Sequence, residues 1–293
     1  MRITTVFKAI LGGINMGFLV PIFASLNHLL CIFYAMTQVD LKLKTLRVNL
    51  RKYGKIIAKD VAYRYHPATE TKEEICVFCS STSNITKEHV LPKWLIETEL
   101  HNTMTSVVNK QTVIYNRALV PACSECNNSI LAFIEKHIIR AIQNMDVFND
   151  CSNYDVCNII RWLEIIDYKL QVLDCRRKYI KYGNSEYDHD WGKFPVSMMR
   201  HFLTMNPWKS YSWLRNSQRR ITIKEKIDGL NSFVVIRPCV PNFYFFNLPN
   251  EYIFLSFPTC RIAIFYFFKK RYKYYEYAAA EALDIIKKVI ESD

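Results

Sequence analysis

The chain has 293 residues and a formal net charge of +12, with 39 lysines and arginines against 27 aspartates and glutamates. This excess favours a phosphate-bearing partner, because cationic surfaces attract nucleic-acid backbones through counterion release. There is no internal repeat and no low-complexity linker, and nothing in the spacing of the ten cysteines demands a disulfide framework. These features argue against a secreted disulfide scaffold and indicate a reducing compartment.

The amino-terminal segment, residues 1–40, is apolar. Residues 9–39 contain no Asp, Glu, Lys or Arg, and about 20 apolar residues suffice to cross a bilayer as a helix. The pattern predicts a hydrophobic helical segment that associates with a membrane through residues 9–39. The basic sequence that follows would face the cytoplasm under the positive-inside rule. We therefore expect the rest of the chain in the cytoplasm, anchored to the inner face of the membrane.

Gly, Asn, Pro and His residues interrupt this apolar run, so three other interpretations stay open. The segment could be a signal peptide, with Lys8 before its apolar core and Ala24 as a cleavage residue. It could be a helical hairpin buried against the body of the protein or against a partner. Translation could also start at Met36, where the polar, basic sequence begins, and the preceding residues would then be non-native.

A basic helical linker is predicted next, over residues 41–73. Between residues 41 and 59 the chain carries seven basic residues and no acidic one. The seven are Lys42, Lys44, Arg47, Arg51, Lys52, Lys55 and Lys59.

Two pairs of cysteines at C-x-x-C spacing follow, and they bracket a Glu-His pair. The cysteines are Cys76 and Cys79, then Cys123 and Cys126. Each pair can place two thiolates about one ion, so the four together predict a tetrahedral structural zinc site. The zinc would bring Glu88 and His89, which lie between the pairs, close to Asn127, which follows the second pair. A carboxylate, an imidazole and an amide gathered in this way indicate a hydrolytic metal site.

This ordered set resembles the HNH endonuclease family. The resemblance is carried by Glu88-His89-Val90-Leu91-Pro92-Lys93-Trp94-Leu95 and by Cys126-Asn127-Asn128. These stretches match a family variant with an acid-His-x-x-Pro motif followed by C-x-x-C-Asn. A weaker match, a Trp some residues before a Lys on a helix, falls at Trp162 and Lys169. The resemblance implies a β-hairpin and a helix around a divalent metal, the ββα-metal core, over residues 74–148.

The resemblance also implies a role for each polar residue. His89 would be the general base that takes a proton from the attacking water, since an imidazole titrates near neutral pH. Glu88, on the opposite face of the strand, and Asn127 would hold a catalytic Mg²⁺ or Mn²⁺ ion. The family's middle Asn or His, which orients the base, falls on Ala118 here. Asn116, two residues earlier, would take that role after a small register shift. The expected substrate is double-stranded DNA, whose phosphodiester bonds would be hydrolysed.

Other polar residues receive less specific interpretations. Glu135 would lie about 80° around an ideal helix from Asn127, so we expect it to be a structural hydrogen-bonding partner. The second acid-His pair, Asp188-His189-Asp190, has no following Pro and no cysteine frame, which is typical of a polar loop. A different class of function is a non-catalytic, zinc-stabilised module that binds nucleic acid, with or without a membrane tether. The displaced Asn116 supports that alternative, and the intact Glu-His-x-x-Pro motif opposes it.

The remainder, residues 149–293, is predicted to be an α+β accessory domain that grips substrate or a partner. Apolar residues recur at three and four positions within residues 127–146, 154–178 and 276–292, which predicts helices. A polar loop is expected over 183–194 and a short helix over 195–204. Strand-like runs separated by turn signals predict an antiparallel meander. These runs cover residues 220–224, 232–236, 242–246, 252–256 and 261–268.

One basic run in this part, Lys269-Lys270-Arg271-Tyr272-Lys273, is interleaved with aromatic residues. Aromatic side chains in such a setting can stack on splayed bases, although the run would equally suit a solvated strand end. The complete prediction is an α+β chain. It has a hydrophobic amino-terminal helical segment, a zinc-stabilised HNH core, and then helices and an antiparallel sheet.

Overall fold

The computed structural model describes residues 19–63, 73–96, 103–105, 112–148, 151–176, 209–238 and 242–292, with side chains in the first range described from residue 38 onward. This part of the chain is an α+β fold, as predicted. Its helices are α1 (Leu19–Tyr63), α2 (Ala132–Phe148), α3 (Asn153–Arg176), α4 (Lys209–Thr222) and α5 (Tyr275–Ser292). Its strands are β1 (Ile85–His89), β2 (Thr103–Thr105), β3 (Thr112–Ile114), β4 (Leu119–Cys123), β5 (Phe233–Ile236), β6 (Phe245–Leu248), β7 (Tyr252–Phe257) and β8 (Ile262–Phe267).

Helices predicted from apolar periodicity are confirmed wherever the structure describes them. The helix expected over 154–178 is α3, and the one expected over 276–292 is α5. The helix expected from residue 127 begins as a π-helical segment, Glu125–Leu131, which runs directly into α2. The polar loop predicted over 183–194 and the short helix over 195–204 lie outside the described residues.

The carboxyl-terminal strands form a four-stranded antiparallel sheet in the order β5-β8-β7-β6. The predicted meander is confirmed for β6, β7 and β8, but it is wrong for β5, which pairs with β8 instead of its sequence neighbour. Burial explains this order. Every residue of β8 and nearly every residue of β7 is buried, so these two strands take the centre. The less buried β5 and β6 form the two edges.

The strand predicted over 220–224 is also wrong, because residues 220–222 are the last turn of α4. The buried face of α4 consists of Leu214, Ser217, Gln218 and Ile221. Their spacing is that of a helix face, but it is hidden when only apolar residues are counted. Both polar members have partners: Gln218 Nε2 donates to the Tyr168 hydroxyl (3.2 Å) and Ser217 Oγ donates to the Leu214 carbonyl (2.9 Å).

Helix α3 is buried along almost its whole length, charged residues included. Glu164 is paired with Lys226 (2.6 Å) and Asp167 with Arg220. A buried charge is costly unless it is paired, so these contacts hold α4 and the segment after it in one position against α3.

The predicted basic linker is helical as far as Tyr63, as part of α1. Its apolar residues Leu43, Leu46, Leu50 and Ile57 are fully buried. They belong to one hydrophobic core together with residues of α2, α3 and the carboxyl-terminal sheet. The segments on either side of the predicted domain boundary at residue 148 therefore share this core.

The apolar amino-terminal segment enters the described part of the chain as the first half of α1, from Leu19. Residues 1–18, which include the start of the predicted membrane-associated stretch, lie outside the description. Among the described helices, none is both long enough and apolar enough to cross a membrane.

A substitution at Leu46 tests whether the basic part of α1 packs into the hydrophobic core. Leu46→Ala removes a side chain that is 0% exposed, so we expect a loss of about 2–5 kcal/mol in the free energy of unfolding. On the same helix Val48 is 49% exposed, and Val48→Ala should cost less than about 1 kcal/mol. Urea unfolding measures both. Similar small effects for the two variants would show that this helix does not pack into the core.

Candidate metal centre

Four cysteine side chains converge where β1 begins and β4 ends. The Sγ atoms of Cys76, Cys79, Cys123 and Cys126 all lie within 4.8 Å of one another, and those of Cys79 and Cys123 are 3.6 Å apart. Sulfurs bound tetrahedrally at about 2.3 Å from zinc lie about 3.8 Å from each other. The cluster can therefore hold a metal ion such as zinc, as the two C-x-x-C pairs predict.

Main-chain amides point at the sulfur atoms of both pairs. The Phe78 N–H donates to Cys76 Sγ (3.4 Å) and the Cys126 N–H donates to Cys123 Sγ (3.5 Å). Ser80 has a φ of 62°, in the left-handed region, and its N–H donates to the Cys76 carbonyl (2.9 Å). This turn keeps the first pair closed. Hydrogen bonds to sulfur favour the thiolate, which is the form that binds metal.

Three of these thiols have shifted pKa values, and the shifts differ in direction. The hydrogen bond with Cys126 lowers the pKa of Cys76 to about 5. Burial, together with the Cys76 charge, raises the pKa of Cys79 to about 12. The hydrogen bond with Cys76 and burial also raise the pKa of Cys126. A bound dication would compensate the charge of more than one thiolate at this cluster.

The antiparallel pairing of β1 with β4 determines how the Glu-His pair is presented. Glu88 lies opposite Val120 and His89 lies opposite Leu119. Successive side chains point to opposite faces of a strand, so Glu88 is directed inward and buried while His89 is partly exposed. The two residues therefore face different surroundings.

His89 meets Asn116, which lies in a 3₁₀ turn just before β4. Asn116 Oδ1 is 3.2 Å from His89 Nε2. An amide oxygen only accepts hydrogen bonds, so this contact suits the tautomer with the proton on Nε2 and leaves the lone pair on Nδ1. Ala118, where the family pattern would put the Asn, is buried, and its carbonyl accepts from the Val90 N–H (2.8 Å).

Asn127 lies in the π-helical segment, on the Glu88 side of β1. Its Nδ2 donates to Thr86 Oγ1 (2.9 Å), and Thr86 shares a strand face with Glu88 because the two are two residues apart. The Thr86 hydroxyl in turn donates to the Ala122 carbonyl (2.9 Å). The first of these bonds uses the NH₂ group of Asn127, and within the described part of the chain its Oδ1 accepts no hydrogen bond.

Glu88 is held by a buried lysine from α3. Lys169 Nζ lies 2.8 Å from Glu88 Oε1 and 2.7 Å from the His89 carbonyl oxygen. Glu135 Oε1 is 3.8 Å from the same ammonium group. Only one oxygen of Glu88, Oε1, makes contacts within the described part of the chain, so Oε2 is the open one.

Glu135 lies closer to this group than an ideal helix would allow. The expected 80° offset from Asn127 assumes about 100° per residue throughout. Residues 125–131 are π-helical, and the wider i→i+5 turn reduces the rotation to roughly 80° per residue. From Asn127 to Glu135 the chain takes four π-helical steps and then four α-helical steps. The summed rotation brings Glu135 nearly into line with Asn127 along the helix axis. The sequence carries no sign of this π segment, so the position of Glu135 was not predictable.

Lys169 had no role in the sequence analysis beyond the weaker Trp-Lys match. One sequence signal could have found it, because it lies among the apolar residues of α3. In the structure its side chain is 1% exposed. A lysine in the middle of a buried helix face requires an acidic partner, and Glu88 and Glu135 are acids in the matched motif region.

A scan against models of protein families, a search among curated proteins and a search among solved structures each found no match to this chain. The geometry and the residue pattern are therefore what support a function.

Removal of one cysteine tests the metal cluster. Cys76→Ser should cost most of the bound zinc and several kcal/mol of stability, because binding to a structural site contributes directly to folding. Elemental analysis gives zinc per chain, and thermal unfolding gives stability. Cys260→Ser, a half-buried cysteine outside the cluster, is the control and should keep its zinc. Equal zinc content in the two variants would refute the assignment.

The buried carboxyl group of Glu135 should make the free energy of unfolding depend on pH. Burial raises the pKa of Glu135 to about 7 from an ordinary 4.5, with Lys169 opposing the shift and Glu88 adding to it. A carboxyl group with a raised folded pKa contributes stability below its unfolded pKa, and the contribution is lost as pH rises through the folded value. Without added divalent ions, Glu135→Gln should therefore reduce the loss of unfolding free energy between about pH 5 and pH 8 by on the order of 2 kcal/mol.

The control for this prediction is Glu125→Gln, at an exposed acid of the π segment. Its pH profile of stability, measured by urea unfolding, should follow that of the wild type. A Glu135→Gln profile parallel to wild type would show that Glu135 is not in a charge-disfavouring site.

Proposed function

We propose that this chain is a metal-dependent endonuclease of the HNH type that hydrolyses phosphodiester bonds of DNA. The observation that carries the proposal is the contact of His89 Nε2 with Asn116 Oδ1 (3.2 Å) on one face of β1. On the other face, Asn127 binds Thr86 (2.9 Å) beside Glu88. An imidazole with an orienting amide and two oxygen ligands thus belong to one strand pair and the helix that follows it, the arrangement that the resemblance implies.

In this proposal His89 is the general base and acts through Nδ1. Nδ1 takes a proton from a water molecule, the water oxygen bonds to phosphorus, and the bond from phosphorus to the leaving sugar oxygen breaks. The leaving oxygen then takes a proton from solvent. Asn116 contributes by holding the ring in the tautomer whose lone pair is on Nδ1, which is the form that a base requires.

Glu88 and Asn127 fit the role of ligands for Mg²⁺ or Mn²⁺. Lys169 occupies Oε1 of Glu88, and the NH₂ group of Asn127 binds Thr86. Among the described residues, nothing donates a hydrogen bond to Oε2 of Glu88 or to Oδ1 of Asn127. Carboxylate and amide oxygens are the donors that hard divalent cations prefer. When bound, such an ion supplies Lewis-acid stabilisation of the charge that develops on the phosphate and the leaving oxygen.

The outer face of α1 is the best-suited surface for the DNA backbone. Its exposed basic residues are Lys44, Arg51, Lys52, Lys55 and Lys59, which fall within an arc of about 100° on a helix. None of the four lysines forms an ion pair with a described acidic residue. By contrast, in the carboxyl-terminal basic run Lys269 is paired with Glu251 and Lys270 with Glu281. A lysine whose charge is already offset by a carboxylate contributes less to phosphate binding.

A zinc-stabilised module that binds nucleic acid without cleaving it is the second candidate. The pair between Lys169 and Glu88 (2.8 Å) favours it, because an ammonium group that neutralises a carboxylate lowers its attraction for a metal ion. The two candidates differ in whether phosphodiester bonds are broken.

His89→Ala tests the proposed function. We expect metal-dependent plasmid cleavage by the full chain to fall by about 10²-fold or more, since a general base contributes 10²–10⁴. Affinity for DNA, measured by fluorescence anisotropy, and zinc content should stay at the wild-type level. The measurement is plasmid nicking with Mg²⁺ or Mn²⁺ and without added metal.

His189→Ala is the matched control, since His189 belongs to the other acid-His pair of the chain and should be dispensable for cleavage. Wild-type rates in His89→Ala would refute the role of His89. A zinc-loaded wild-type protein that binds the plasmid and leaves it intact with either metal would establish the binding module instead.

A further inference from the structure

We propose that Lys169 is a positioning residue of this site: from α3 it holds the Glu88 carboxylate and the His89 main chain in one fixed relation. The inference rests on the proposed nuclease function and adds to it a residue far along the chain from the motif. It also makes α3, which follows the motif region in sequence, a structural part of the site.

The contacts of Lys169 define its position in three directions. Its Nζ donates to Glu88 Oε1 (2.8 Å) and to the His89 carbonyl (2.7 Å), and Glu135 Oε1 lies 3.8 Å away. Two of the three donors of the ammonium group are used in these hydrogen bonds, and the Glu135 carboxylate adds an ion-pair contact. The side chain is 1% exposed. A buried ammonium is stable only with such partners, and moving it would leave a charge unpaired.

This burial separates positioning from catalysis. Lys169 cannot reach a phosphate in solvent, so its effect on the reaction is transmitted through Glu88 and His89. Glu88 is held by Oε1 so that Oε2 is presented. His89 is held at two points, at its carbonyl by Lys169 and at its ring by Asn116 (3.2 Å). Fixing both residues from one atom sets the distance between the proton acceptor and the metal ligand, which efficient reaction requires.

The neighbouring residue strengthens the connection to α3. The hydroxyl of Tyr168 donates to the carbonyl of Val77 (2.7 Å), and Val77 lies between the first two cysteines. Tyr168 and Lys169 thus join α3 to the cysteine turn and to the end of β1. Both contacts come from α3 and not from the pairing of β1 with β4. Helix α3 therefore fixes the position of groups that this pairing alone does not fix.

The charges around Lys169 predict how its removal would change metal binding and the cleavage rate. The groups facing one another here are Glu88 from β1, Glu135 from α2 and Lys169 from α3. Removal of the lysine leaves two carboxylates without their cation, so a divalent ion at Glu88 should bind more tightly. The ligand and the base would at the same time lose their common anchor, so the maximal rate should fall. A purely structural lysine would not move these two quantities in opposite senses.

The experiment measures cleavage rate against Mn²⁺ concentration for full-length Lys169→Met. We expect the maximal rate to fall about 10²-fold, the effect of a displacement near 1 Å in an active site. The half-saturating Mn²⁺ concentration should fall about tenfold from the charge change, and so should the Mn²⁺ dissociation constant measured by titration in the absence of DNA. Lys226→Met is the matched control, because it breaks another buried Lys–Glu pair of α3, with Glu164 (2.6 Å). It should cost comparable stability and leave both kinetic quantities unchanged.

The outcomes separate the inference from the proposed function. Wild-type protein that does not cleave refutes the nuclease. Cleaving wild type, with a Lys169→Met variant whose two quantities match those of Lys226→Met, refutes only the positioning role. If Lys169→Met does not fold, Lys169→Arg decides. Its guanidinium keeps the charge but cannot place donors at the same two points, so its maximal rate should fall, and a wild-type rate would overturn the inference.

Discussion

The pairing of β1 with β4 carries the candidate site, because its register sets both where the cysteines meet and which way Glu88 and His89 face. Ile85 lies opposite Cys123 at one end, and His89 lies opposite Leu119 at the other. A slip of one residue would exchange the two faces of the strand, so that His89 would be buried and Glu88 exposed. The cysteine cluster joins the two strands at the Ile85–Cys123 end of this pair. A metal in that cluster would therefore act on the proposed chemistry by protecting the register.

Helix α3 supplies contacts that position side chains of this strand pair. A two-stranded pair alone is marginally stable, and β1 with β4 receives further support from side chains of the buried α3. Glu164, Asp167 and Lys169 are three buried charges on α3, and each has its partner on a different part of the chain. Buried ion pairs add little net stability compared with apolar contacts, but they penalise wrong arrangements. Their concentration on one helix explains how residues before and after it are held in a single geometry.

Features that depend on local residue spacing could be predicted from the sequence, whereas features that depend on tertiary packing could not. The cysteine cluster follows from two short motifs, and α3 and α5 follow from apolar periodicity. The strand-like run 220–224 overlaps the end of α4. The helical pattern there includes Ser217 and Gln218 on the buried face, and these polar residues find their partners only in the folded protein. The position of Glu135 depends on a π-helical segment that no residue type announces. The two hydrogen-bonding partners of Lys169, at Glu88 and His89, are 81 and 80 residues away in sequence, beyond the reach of any periodic pattern.

In the proposed nuclease, the two faces of β1 would meet two conflicting requirements of a hydrolytic site. The proposed general base must meet water, and His89 is partly exposed, with its ring held by Asn116 at Nε2. A metal ligand must keep a fixed orientation, and Glu88 is buried against Lys169. Strand alternation allows adjacent residues to meet both conditions without a loop between them. The cost is a buried carboxylate, and Lys169 offsets it from a helix that also anchors the cysteine turn through Tyr168. Solvent access on one face and rigidity on the other thus depend on the same buried helix.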